Sequence, residues 1–195
     1  MITMYEHVVV KDGVLWIDGI HMQRFHNTTP AKNAEQMVQQ LGIKRDDKVL
    51  DVCTGLGYTV IAELKLGASV TTIEQSETVL ELLQQSANSG ILENNSVELI
   101  CGDAFQEVKQ LPAKSFNAVL LDPPRFSMAG QLYSQEFYSD LHRVLKPNGK
   151  LFHYTGKPGL RSGKNLLKGI KNRLQEAGFH NVEWIERELG FKAIY

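Results

Sequence analysis

The sequence predicts an α/β protein in which strands and helices alternate around a mostly parallel sheet, with an antiparallel hairpin at the C-terminus and a β-hairpin at the N-terminus. Three observations carry this expectation. An apolar run, Lys48 to Cys53, enters the turn Thr54-Gly55-Leu56-Gly57-Tyr58-Thr59, which opens a helix bearing Val60, Ile61 and Leu64. Three later apolar runs also end in acidic residues: Ser69 to Glu74, Val97 to Asp103 and Phe116 to Asp122. The last two runs, Val182 to Arg187 and Phe191 to Tyr195, are separated only by a short turn around Gly190, which leaves no room for a crossover helix.

Taken in order, Glu6 to Arg24 alternates as two short strands about Asp12-Gly13, a tight-hairpin signal, with a further turn at Asp18-Gly19. Residues 1–26 form this extension and residues 27–195 the main domain. Asn27 to Pro30 is a helix start, and Ala34, Met37, Val38 and Leu41 give the following helix an apolar face. After the first strand and its helix come the strand Ser69 to Glu74, a helix over Thr78 to Ala87, and the strands Val97 to Asp103 and Phe116 to Asp122. A helix over Leu132 to Leu145 buries Phe137, Leu141, Val144 and Leu145 and stops at Lys146-Pro147-Asn148-Gly149. A fifth strand, Lys150 to Thr155, a helix over Asn165 to Ala177 and the closing hairpin complete the chain.

At 195 residues, 43% hydrophobic and 22% charged, the chain suits one domain with a substantial core. It has no apolar run long enough to span a membrane and opens without a basic-then-apolar leader, so the expected location is cytoplasmic, with no membrane partner. A net charge of −1 provides no general positive field for nucleic acid. Cys53 and Cys101 fall on the first and third strands, which in the usual order are separated by the second. At ~9–10 Å apart they are too distant for a disulfide and read as reduced core thiols. His21 and His26 have no carboxylate or cysteine at ligand spacing, so no metal site is expected.

The glycine turn lets the chain leave the strand sharply and leaves backbone bare for a ligand at Gly55 and Gly57. A dinucleotide site calls for a third glycine where this chain has Val60, and Asp51 before the turn repels a pyrophosphate but attracts an ammonium. Glu74, 23 positions after Asp51, sits where a ribose diol is hydrogen-bonded. On these residues the stretch resembles the S-adenosylmethionine loop of class I methyltransferases, with Cys53 replacing the usual first glycine. The whole order of elements resembles their Rossmann-like sheet of seven mostly parallel strands. The pieces Leu15-Trp16-Ile17-Asp18-Gly19, Asp122-Pro123-Pro124-Arg125-Phe126-Ser127, Glu136-Phe137-Tyr138, Arg143-Val144-Leu145-Lys146-Pro147 and His153-Tyr154-Thr155-Gly156 resemble an uncharacterised archaeal methyltransferase family related to spermidine synthases.

The resemblance implies S-adenosyl-L-methionine as cofactor, with Asp51 near the methionine ammonium, Glu74 on the ribose hydroxyls, Asp103 on the adenine amino group and Asp122 at the methyl-transfer centre. Thr54, Gly55, Gly57, Tyr58, Thr59 and Ala104 complete the expected cofactor site, and Tyr58 covers its methionine end. The catalytic segment is Asp122-Pro123-Pro124-Arg125-Phe126: the carboxylate accepts a nucleophile's N–H, the prolines fix the backbone, Arg125 holds an anion and Phe126 stacks on a planar group. His153 and Tyr154, one facing the pocket and His153 reading more readily as core, are weaker substrate candidates with Lys157 and Arg161. The expected reaction is methylation of a nitrogen on a planar or anionic acceptor: an RNA base, a metabolite or a protein side chain. Two alternatives stand: an aminopropyltransferase of the spermidine-synthase type, and a non-catalytic binding module. The N-terminal hairpin is the expected contact of a homodimer.

Overall fold

The computed structural model describes residues 7–156 and 163–195. Its N-terminal strands, β1 (Val8–Lys11), β2 (Val14–Ile17) and β3 (Ile20–His21), form an antiparallel sheet of three strands rather than two. The turn at Asp18-Gly19, with both residues at positive φ, folds Ile20 back onto Ile17 and adds the short third strand. Leu15 and Ile17 of this sheet pack on Leu56 and Val79 of the main domain.

Helix α1 (Pro30–Leu41) starts where expected: the Thr29 side chain accepts from Lys32 N, Pro30 occupies the first turn, and Gly42 ends the helix in the left-handed region. There follow β4 (Lys48–Val52), α2 (Tyr58–Lys65), β5 (Ser69–Glu74), α3 (Glu77–Gln84) and β6 (Val97–Cys101). The chain continues through α4 (Ala104–Gln110), β7 (Phe116–Leu121), α5 (Phe126–Ala129), α6 (Gln135–Val144), β8 (Leu145–Tyr154), α7 (Gly163–Glu176), β9 (His180–Ile185) and β10 (Gly190–Ile194). The seven-stranded sheet runs β6-β5-β4-β7-β8-β10-β9, parallel except that β10 is antiparallel to both neighbours. The chain steps outward from β4 to β6 and then returns to the other side of β4 at β7. A crevice for a ligand therefore opens above the carboxyl ends of β4 and β7.

The inner strands are buried on both faces. Leu50 and Val52 of β4 join Val119 and Leu121 of β7 in a core with α6 and α7, while Val49, Ala118 and Leu120 face α1 and α2. This two-sided burial explains why the strands read as continuous apolar runs rather than alternating ones.

Four local readings are corrected. The third strand stops at Cys101 because Asp103 caps α4, accepting from Phe105 N at 3.0 Å, a helix the periodicity did not disclose. Helix α6 begins at Gln135 rather than Leu132 because Ser134 caps it, leaving Leu132 and Tyr133 in the preceding 3-10 turn. Strand β8 starts at Leu145 rather than Lys150, the irregular Lys146–Gly149 stretch being absorbed as a register shift opposite Phe116 and Ala118. Cys101 is exposed on the edge strand, not in the core; both cysteines are free. Among the described residues, no helix is long and apolar enough to cross a membrane.

Candidate active site

A cavity of about 1350 Å³ lies over the carboxyl ends of the central strands, walled on its far side by the N-terminal sheet. Of the expected cofactor residues, Thr54, Gly55, Tyr58, Thr59, Glu74, Asp103 and Ala104 line it. Gly55 and Gly57 have φ of 53° and 72°, which favours glycine at both, and a Cβ at Gly57 would also run into Ile91. Glu74 shapes the turn directly: one carboxylate oxygen accepts from Gly55 N and the other from Ser76 N, each at 3.0 Å. Burial raises its pKa above the usual carboxylate range, an effect those backbone bonds partly offset. Asp103 accepts from the Gln131 side chain as well as from Phe105 N, tying the rim to the 3-10 turn at Gly130–Tyr133. The Tyr58 hydroxyl donates to Gly13 O at 2.8 Å and fastens the N-terminal sheet to the glycine turn.

Asp51 is not at the rim. It is fully buried on the same strand face as Val49, beneath the cavity floor, with Oδ1 accepting from Thr72 at 2.7 Å and Oδ2 without a partner. Burial pushes its carboxyl up, and the Thr59 and Thr72 hydroxyls offset only part of that. Behind it, Glu63 of α2 is also fully buried, with neither oxygen hydrogen-bonded. Burial and the neighbouring Asp51 hold Glu63 well above the carboxylate range. Sequence reasoning missed Glu63, although its position three residues after Val60 and four after Thr59 puts it on the face that α2 buries.

A stability test follows. The raised folded-state pKa means that ionising Glu63 opposes folding, so wild-type stability falls as pH rises from its unfolded value through the folded one. Glu63→Gln is therefore expected to match wild type at about pH 4 and to be more stable at pH 8. The gain is the cost of ionising Glu63 in its buried site, ~1.4 kcal/mol for each unit by which folding raises its pKa. Denaturant titrations at both pH values check it, and equal stability at pH 8 would contradict it.

Cys53 sits at the turn with φ of 74°, a left-handed conformation normally left to glycine. The positive φ breaks strand alternation: Cys53 packs with the Leu50 and Val52 cluster instead of sharing the face of Val49 and Asp51. Burial first, then Glu74, Asp122, Asp51 and Asp103 around it, pushes its thiol well above the usual value. Cys53 is only partly buried and lines the cavity, but its raised thiol keeps it out of the thiolate form, so iodoacetamide at pH 8 is expected to alkylate exposed Cys101 well before Cys53, which mass spectrometry of the peptides reads directly. Equal labelling rates would contradict the raised thiol assigned to Cys53.

Asp122, Pro123, Pro124, Arg125 and Phe126 all line the cavity. Among the described residues, the Asp122 carboxylate has no hydrogen-bond partner, and burial together with Asp51 raises its pKa to about 7. The Pro124 carbonyl accepts from the Tyr133 hydroxyl at 2.9 Å, so that oxygen braces the loop. Phe126 is 45% exposed and meets Tyr133 edge-on, which excludes a core role. His153 is the core histidine: fully buried, between Tyr133 and Tyr138, with Nδ1 3.4 Å from Leu121 O and its pKa lowered to about 3 by burial. Tyr154 is the neighbour that faces the cavity. Lys157 and Arg161 lie outside the described residues. The sequence reading also missed Arg24, which lines the cavity and donates from Nη1 to Arg187 O at 2.8 Å.

Comparisons with known proteins agree with the fold. Residues 49–149 match the family model described as a methyltransferase domain. The chain is 44% identical over 97% of its length, and 66% of the other's, to an uncharacterized protein of Methanocaldococcus jannaschii. The chain spans 66% or less of the length of the curated relatives first matched. Among solved structures, it is similar to a spermidine synthase from Thermotoga maritima, with TM-score 0.69, 18% identity, and coverage of 93% of this chain and 64% of that one. It is also similar to a SAM-dependent methyltransferase from Aquifex aeolicus, with TM-score 0.61, 20% identity, and coverage of 83% and 87%. At those identities the likeness concerns the fold.

Proposed function

We propose, for a chain that belongs to the methyltransferase domain family, that it transfers a methyl group from S-adenosylmethionine to a nitrogen of a planar or anionic acceptor. The observation that carries this reading is the partnerless Asp122 carboxylate, which opens onto the same cavity as the bare glycine turn and Glu74. The cavity residues fit the cofactor. Gly55 offers uncovered backbone, Glu74 keeps lone pairs for a diol beyond its two backbone bonds, and Asp103 stands further along the rim. Asp51, with its orphaned buried Oδ2, adds negative potential beneath the floor on the side suited to an ammonium.

When bound, S-adenosylmethionine supplies a methyl group on a sulfonium sulfur. The chain's part is alignment, exclusion of water and proton handling. Asp122 accepts the N–H of the acceptor and so aims the nitrogen lone pair, and its acceptance strengthens as positive charge develops on that nitrogen. Pro123 and Pro124 hold the loop rigid, and the Tyr133 hydroxyl locks it from behind. The N-terminal sheet, held by Tyr58 on Gly13, shields the cavity from solvent.

The fold likeness to a spermidine synthase favours a second reading, aminopropyl transfer. A polyamine cation calls for several carboxylates on the acceptor side, where this cavity sets Arg24 and Arg125 beside the single carboxylate of Asp122. Calorimetry with S-adenosylmethionine and its decarboxylated form separates the two. Methyl transfer predicts tighter binding of the carboxylated form, aminopropyl transfer the reverse, and a binding module for another subunit predicts neither.

A further inference from the structure

We infer that the acceptor half of the cavity selects a small molecule carrying a carboxylate or phosphate beside its nitrogen nucleophile, and that Arg24 is, with Arg125, the residue that selects it. This rests on the methyl-transfer reading above.

Arg24 reaches the cavity from the segment after β3, whereas Arg125 follows the double proline after β7, so two unrelated parts of the chain bring guanidinium groups to one space. Among the described residues, neither forms an ion pair with a carboxylate. Arg24 is anchored through Nη1 on the Arg187 carbonyl, which fixes its plane and spends only one of its five donors. Two guanidinium groups with no acidic partner, on a cavity wall that elsewhere carries carboxylates, create a local demand for an anion. Their planar forks match an oxyanion bidentately. Tyr154 marks where the opposite charges meet. Burial raises its hydroxyl to about 12, Asp122 pushes it the same way, and Arg24 and Arg125 pull it back. One acceptor can thus place an N–H on Asp122 and an oxyanion on the arginines, with its plane against Phe126 and Tyr154.

Enclosure favours a small acceptor over a polymer. The N-terminal sheet is tied to the glycine turn by Tyr58 on Gly13, and Gln23, just after β3, accepts from Leu15 N at 2.7 Å, which holds the segment that carries Arg24 against the sheet. The volume of about 1350 Å³ exceeds the ~300–1,000 Å³ usual for one ligand and suits a nucleoside cofactor plus one compact partner. The net charge of −1 lacks the basic field through which RNA binds.

The test uses 2-aminobenzoate as anionic probe and 2-aminobenzamide as its neutral counterpart, titrated by calorimetry into protein saturated with S-adenosylhomocysteine. The expected result is at least about tenfold tighter binding of the acid. That preference should be lost in Arg24→Gln and in Arg125→Gln, while S-adenosylhomocysteine affinity stays as in wild type. Arg24→Lys, which keeps the charge without the fork, should retain part of the preference. Equal binding of acid and amide, no binding of either below about 10 mM, or an unchanged preference in Arg24→Gln overturns the inference. So does a tenfold loss of S-adenosylhomocysteine affinity in Arg24→Gln, which would give that arginine to the cofactor. Salt-steep capture of an RNA oligonucleotide in place of the acid also overturns it, in favour of a polymer. Failure of wild type to bind S-adenosylhomocysteine at all fells the methyl-transfer reading itself, a result distinct from each of these.

Discussion

Asp122→Asn is expected to lower the single-turnover rate of methyl transfer by about a hundredfold to ten-thousandfold, the range for a positioned acid–base group. S-adenosylhomocysteine affinity should stay within a few-fold of wild type. The asymmetry comes from where the carboxylate points. It has no partner among the described residues and faces the cavity beyond the glycine turn, so its loss falls on the nucleophile. Its pKa of about 7 adds a second signature. The ionised form is the stronger acceptor for the N–H and for the positive charge that develops on the nitrogen, so the wild-type rate should rise as pH increases through about 7 in the free enzyme, and Asp122→Asn should lose that limb. The same raised value means that ionising Asp122 opposes folding, so stability moves the opposite way, falling as pH rises from the ordinary aspartate value of 3.8 to about 7 and levelling off above it. A variant turning over at the wild-type rate would make the double-proline loop a structural turn and move the search for the acceptor's partner to Tyr154.

Glu74→Gln is expected to weaken S-adenosylmethionine binding by ~1.5–3 kcal/mol, roughly tenfold to more than a hundredfold in Kd. The carboxylate does two jobs at once, holding Gly55 N and Ser76 N while keeping acceptor capacity toward the cavity. An amide replaces one acceptor oxygen with a donor, and because both oxygens accept from backbone N–H groups, that donor opposes Gly55 N or Ser76 N and loosens the turn that presents the site. Because burial raises Glu74's pKa, acidification should weaken binding in wild type before it touches an ordinary exposed carboxylate. Calorimetry across pH reads both effects, and unchanged affinity in Glu74→Gln would remove the ribose assignment.

Most of the sheet was legible because its inner strands are buried on both faces and read as plain apolar runs bounded by turn residues. The acidic ends of those runs located the rim, and Glu74, Asp103 and Asp122 all line the cavity. What escaped did so for identifiable reasons. Asp103 was read as the last residue of a strand, yet it caps α4, since an aspartate serves either ending equally well. Asp51 stands just before the glycine turn in the sequence, but strand alternation turns it with Val49 toward α2, under the floor and beside Glu63. Cys53 escapes the same alternation only through its positive φ, which no sequence pattern announces for a cysteine. Arg24 is a lone cation in an irregular segment, and only the folding of the N-terminal sheet over the main domain brings it to Arg125.

The central claim is that the acidic rim holds the nucleoside so that the methyl-bearing sulfur faces Asp122. An experimental structure of the complex with S-adenosylhomocysteine measures it most directly. The account predicts the ribose hydroxyls on Glu74, the adenine beside Asp103, and the sulfur opening toward Asp122 and the space flanked by Arg24 and Arg125. A nucleoside bound elsewhere, or one whose sulfur points away from Asp122, would contradict it.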